Sequence, residues 1–198
     1  GFKEINARGV VIADLHHDTV SLSAEGTHMW LDDFRYAGVE LSSDPQVSCG
    51  GIALPGRPVV PPCHLAPETQ GDAAARLSSN QWHLGLIFAH MLLGANPVEQ
   101  LVFRMHGSID YSSDEGRALI REATRRHFFV WEMRGFHDLM VDYSDVLKIV
   151  SGLLEKDPNI RWTAEEAWRE AVKVAEARGI PIDGGPRLPQ TLPREWDD

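Results

Sequence analysis

Two cysteines in 198 residues are too few for a disulfide scaffold or a four-thiolate zinc site. Cys49 and Cys63 stand fourteen positions apart in one Gly/Pro-rich segment, with no third or fourth ligand at zinc spacing. Two readings stay open. In an oxidising compartment the pair closes a small loop worth ~3 kcal/mol in the chain-entropy picture; in a reducing one it is two thiols. Positive charge is also scarce: 19 basic residues face 29 acidic ones, for a formal net charge of -10. Such a balance repels a phosphate backbone, so nucleic acid is excluded as the expected partner. Long apolar runs are missing as well. None approaches the roughly 20 residues of a bilayer-spanning helix, and the first residues show no basic-then-apolar leader, so no membrane span is expected.

What is present is enough for a core. With 43% apolar residues and six tryptophans, one globular domain is the natural count. Phe2 and Ile5 share a helix face without a cap before them, so "GFKEINARGV" reads as the last turns of a helix closing at Gly9, and further chain is expected before residue 1. Val10 to Ile12 and Val20 to Leu22 are short apolar runs around a polar loop. "SAEGTH" is a turn before "MWLDDF", which predicts a small hairpin. Ala37 to Pro62 has no sustained period and reads as a long loop. "LSSNQWHLGLIFAHMLLGANP" is apolar on nearly all sides, which predicts a buried central helix with Ser78 or Ser79 as N-cap and Gly94 as its stop. Further helices are predicted from Ser112, Ser113 and Asp114 onward, over "YSDVLKIVSGLLEKDP", and over "TAEEAWREAVKVAEARG". The last of these opens with a Thr163 to Glu166 capping box and closes at Gly179. Its Trp168, Ala171 and Val172 read as core packing, and its glutamates as a solvated face.

The stretch from Val10 to Phe34, "VVIADLHHDTVSLSAEGTHMWLDDF", gathers three histidines, four aspartates and one glutamate. His16, His17 and Asp18 are capable metal ligands, but adjacent side chains on a loop diverge and the nine histidines show no H-E-x-x-H spacing. The expectation is a pair of solvated loop histidines and no metal.

Four strings taken in order resemble the C-terminal lobe of a eukaryotic protein kinase, over about Gly9 to Ala175. The stretch from Gly9 to Phe34 keeps close to the spacing of the catalytic loop, H-R-D-L-x-x-x-N, and the following D-F-G. "LAPET" carries A-P-E at Ala66, Pro67 and Glu68. "SSNQWHLGLIF" resembles the lobe's central helix, with Trp82, Leu84 and Gly85. "LLEKDPNIRWTAEEAW" resembles its last signature, whose arginine, here Arg161, pairs with the glutamate of A-P-E, here Glu68. The resemblance implies a mainly α fold: a helical lobe with a small β hairpin carrying the catalytic loop. Residues 1–178 form that lobe, with the activation-segment equivalent at 33–68, and 179–198 form a C-terminal tail. The family's N-terminal lobe, with its Gly-rich loop and strand lysine, has no counterpart here and stands as a missing or separate partner segment.

Position by position, the resemblance places Asp14 as the base for a substrate hydroxyl and Asp33 as the magnesium ligand. The groups around them are exchanged. Ile12 and Ala13 replace the His-Arg before the catalytic Asp, which removes the arginine that reads a phosphorylated activation loop. His16 replaces the loop lysine and is mostly neutral near pH 7 at a reference pKa of ~6.5. Thr19 replaces the asparagine that holds a second metal, and its hydroxyl is a poorer ligand for a hard cation. Arg35 replaces the glycine of D-F-G and can set a guanidinium against Asp33. Asn80 replaces the central helix's aspartate, keeping an acceptor without the charge. Groups that hold the fold remain: Phe34, Glu68, Trp82, Gly85 and Arg161, with Glu68 and Arg161 as a structural ion pair and Trp82 as a packing residue.

This pattern resembles a pseudokinase, closest to the secreted rhoptry-kinase family of apicomplexan parasites. That implies a protein-binding or allosteric module in the parasitophorous vacuole or a host-facing compartment, without cofactor, and it favours a Cys49 to Cys63 disulfide. The alternative is a divergent Ser/Thr kinase using ATP, with Asp14 as base and one magnesium on Asp33.

Overall fold

The structure is a computed structural model that describes residues 2–12, 15–22, 29–32, 34, 37–39, 63–69, 75–111, 113–127 and 136–182. Its described part is mainly helical. Helix α1 (Phe2–Ala7) closes where Gly9 takes φ 71°, a left-handed conformation that glycine adopts without steric cost, and strand β1 (Val10–Ile12) follows at once. Strands β2 (Val20–Leu22) and β3 (Met29–Leu31) form the expected antiparallel hairpin, with Val20 opposite Leu31. A second antiparallel pair joins β1 to β4 (Ala37–Val39), with Ile12 opposite Ala37. Residues 37–39 are thus a strand where the absence of a period predicts a loop. Three residues around a central glycine are too few for a visible alternation, so this strand is defined by its partner.

Helix α2 (Leu77–Leu93) is the centre of the molecule, with Ser79 to Ile87 and Ala89 all buried. Arg76 caps it, not Ser78 or Ser79, which lie in the first turn; the Ser79 hydroxyl accepts the Arg76 N–H at 3.1 Å. Gly94 ends it at φ 72°, as expected. Helix α3 (Pro97–His106) was not foreseen. Asn96 caps it, its side-chain oxygen accepting from the Val98 and Glu99 N–H groups, and Pro97 starts it with a preset φ.

Helix α4 (Asp114–Glu122) starts from the Ser113 cap, and α5 (Phe136–Leu153) is bent at Tyr143. Helix α6 (Ala164–Ala177) has the Thr163–Glu166 capping box, and Gly179 follows it at φ 66°.

One buried cluster joins Trp82, Leu86 and Ala89 of α2 to Val98 and Val102 of α3, Ile120 of α4 and Leu147 and Val150 of α5. A second sets Leu84 against Ile149, Leu153 and Ala167, with Ala171 packed on it. Trp168 is not core. It lies one position round from Ala167 and is 48% exposed, because the inward stripe runs through buried Ala164 and Ala167 and partly buried Ala171 and Val174. Phe34 is exposed too. No single helix among the described residues is long and apolar enough to cross a membrane.

Candidate functional site

The site is anchored from below by α2. Asn80, fully buried, accepts the Ile12 N–H at 2.9 Å and donates to the Val10 carbonyl at 2.8 Å and to Asn6 Oδ1 at 2.8 Å. The amide thus does more than substitute for an acceptor: its NH2 holds both β1 and α1. Past the end of β1, Leu15 is buried and the chain enters a 3-10 turn over His17–Thr19. Thr19 closes that turn. Its hydroxyl donates to the His16 carbonyl at 2.8 Å and accepts the His16 N–H at 3.1 Å, and the residue is 5% exposed.

A second segment approaches from the side. Residues 63–69 make a turn and a short 3-10 helix, Pro67–Thr69, pinned by the Glu68–Arg161 pair. Arg161 donates to both carboxylate oxygens, at 2.7 and 2.8 Å, across 93 positions of sequence. Burial pushes the Glu68 carboxyl up, but hydrogen bonds from Arg161 and its charge outweigh that and hold it below the usual range. The pairing expected between these residues is present, and the guanidinium also lies 5.3 Å from the centre of the Trp82 ring.

Between the two segments the side chains of four histidines meet. His16 stacks on His64 with ring centres 5.1 Å apart, and His17 stacks on His90 of α2 at 4.1 Å. With Leu15 and Leu86 they line a cavity of about 10 Å³, room for about one water. His16 and His17 are therefore half-buried ring partners, and the expectation of solvated loop residues is corrected. Burial, then the neighbouring His16 and His17, holds His64 down to about 4. Burial and then His64 hold His83, on the inward face of α2, down to about 3, and burial and then His17 also lower His90. His64 and His83 are therefore held neutral at pH 7, able to act as hydrogen-bond acceptors or metal ligands.

Among the described residues, two groups of side chains converge closely enough to hold a cation. His16, His17 and Asp18 each offer a ligand atom within 4.8 Å of the others, as do Cys63, His64 and Glu99. Neighbouring side chains of the loop do not diverge as expected, since the tight turn folds both rings toward Asp18, at 3.7 and 3.3 Å. Cys63 is a buried free thiol that donates to Glu99 Oε1 at 3.2 Å. Its proposed disulfide partner Cys49, and the sequence-predicted Ala13, Asp14, Asp33 and Arg35, lie outside the described residues.

His64, His90 and Glu99 were missed from sequence. Local spacing carries no mark of them, because they meet the loop only through the packing of α2, α3 and the 63–69 segment. One signal was available: His64 stands two positions before Ala66, inside the segment that the resemblance had marked. No protein-family model matches the chain.

Proposed function

We propose that this chain is the helical lobe of a protein-kinase-like fold that has exchanged phosphoryl transfer for protein binding or allosteric support of another enzyme. The reading places it in a secreted, host-facing or vacuolar compartment, working with an N-terminal lobe supplied separately. Two long-range ties support the fold assignment. Asn80 grips the backbone of β1 just before the loop, and Glu68 pairs with Arg161, each joining strings that the resemblance sets together.

The observation that carries the loss of catalysis is the state of Thr19. Its proton and one acceptor site are spent on the His16 backbone, so the hydroxyl closes a turn where a kinase asparagine would face a metal. His16 adds to this: its ring is stacked on His64 where a flexible lysine would reach for phosphate.

Thermal unfolding in the presence of millimolar ATP, with and without magnesium, tests the reading, on the protein with any preceding segment included. No shift in midpoint is expected under either condition, since a ligand stabilises only in proportion to its binding. A magnesium-dependent rise that Asp33→Ala abolishes would overturn the proposal in favour of an active kinase with Asp14 as base and one magnesium on Asp33.

A further inference from the structure

We infer that Cys63, His64 and Glu99 form a zinc site that fastens the loop ahead of Pro67 to helix α3. Their ligand atoms all lie within 4.8 Å of one another. Zinc held at about 2.0 Å by nitrogen or oxygen and about 2.3 Å by sulfur needs tetrahedral ligand atoms roughly 3.3–3.8 Å apart, which modest side-chain rotations supply. The Cys63 to Glu99 separation is already 3.2 Å.

An independent observation points to a ligand. His64 is only 8% exposed, and its Nδ1 is sealed from solvent with no hydrogen-bond partner among the described residues. An unsatisfied buried polar atom costs roughly 1–3 kcal/mol, and such a nitrogen is a natural metal donor. The donor set of thiolate, imidazole and carboxylate suits zinc and is too soft for magnesium or calcium. Three protein ligands leave a fourth position to water.

Glu99 is well placed to serve. It sits in the first turn of α3, its N–H held by Asn96 Oδ1 at 3.3 Å, so one ligand rides on a helix and two on the loop. The alternative cluster is weaker: the Asp18 side chain is 74% exposed, and His16 Nδ1 already accepts the Asp18 N–H. On binding, the Cys63 S–H bond breaks, a zinc–sulfur bond forms, and the proton passes to solvent with no change in oxidation state. The metal would replace the proton that now bridges Cys63 and Glu99.

Cobalt(II) added to the reduced chain is the probe. A thiolate-to-cobalt charge-transfer band saturating at one equivalent is expected, and zinc should displace it. Cys63→Ser should abolish the band, while Cys49→Ser and Asp18→Asn keep it. His64→Gln and Glu99→Gln should weaken zinc binding by more than the roughly 10- to 100-fold that loss of an outer-shell partner costs. No band in the parent chain, or a band that survives Cys63→Ser, overturns the proposal. Should Cys63→Ser fail to fold by circular dichroism, the near-isosteric Glu99→Gln decides: unchanged zinc affinity there overturns it equally.

Discussion

Arg161 satisfies its fork completely. Beyond the two bonds to Glu68, it donates to the Ser78 carbonyl at 2.6 Å, the Glu155 carbonyl at 2.7 Å and the Lys156 carbonyl at 3.3 Å, and its side chain is 1% exposed. Only a planar guanidinium reaches all of these at once. Removing either partner strands the other, so Glu68→Ala and Arg161→Met are each expected to cost ~3–5 kcal/mol in urea unfolding. The double variant should cost clearly less than the sum, because neither charge is left buried alone. Simple additivity would show that the two do not act as a pair. This contact was legible in the sequence because both residues stand in strings that resemble a family in which the corresponding residues pair. The four-ring histidine contact was not, since His64 and His90 carry no local mark of their neighbours. Thr19 was legible only by its identity, as a poor metal ligand; that its hydroxyl closes the turn on His16 depends on a geometry that no spacing encodes.

At the scale of elements, the packing of α2 on the end of α5 depends on one small residue. A Cβ on Gly85 would meet Leu154 Cγ and Cδ2 at 2.8 Å and Leu153 Cβ at 3.0 Å. Alanine gains about 1 kcal/mol of helix propensity, but overpacking costs ~1–3 kcal/mol, so Gly85→Ala is expected to destabilise. Shortening the opposed side chain with Leu154→Val should recover part of the loss. Gly94→Ala is a different case. Nothing among the described residues lies within 4 Å of its missing Cβ, yet its φ of +72° penalises any side chain, so it should lose roughly 1–2 kcal/mol that Leu154→Val leaves untouched. Denaturant midpoints of the four variants check both; a Gly85→Ala chain as stable as its parent would refute the close-approach account. Helices with written ends were readable from sequence: α6 by its capping box, α2 by its apolar run and Gly94, α1 by Gly9. Helix α3 is equally written, by Asn96 before Pro97, but its neighbour's apolar run dominates that stretch and masks the signal. Strand β4 could not be read, since its pairing with β1 is a long-range event over three residues.

For the molecule as a whole, acid sets two effects against each other. The chain carries -10 at pH 7 with an isoelectric point near 5.3, so lowering the pH from neutrality reduces self-repulsion and by itself would stabilise. His83 acts in the other direction. It is 1% exposed, neither ring nitrogen makes a hydrogen bond of ordinary geometry among the described residues, and burial lowers it to about 3 from 6.5. Between those values the unfolded chain binds a proton that the folded one refuses, so stability falls as pH falls, by up to ~1.4 kcal/mol per pH unit. His64 adds to the same slope. The opposing surface effect is spread over exposed charges and screened within about 8 Å at physiological salt, so the buried imidazoles outweigh it. The melting temperature is therefore expected to fall steadily from pH 7 to pH 5, even as the net charge shrinks. His83→Leu replaces the ring with an apolar group of similar volume and removes the group that the folded chain keeps from protonating. It should flatten the slope and leave the variant more stable than its parent at pH 5. Parallel melting profiles for the two proteins would mean that His83 does not titrate with unfolding, and the acid sensitivity would have to arise elsewhere.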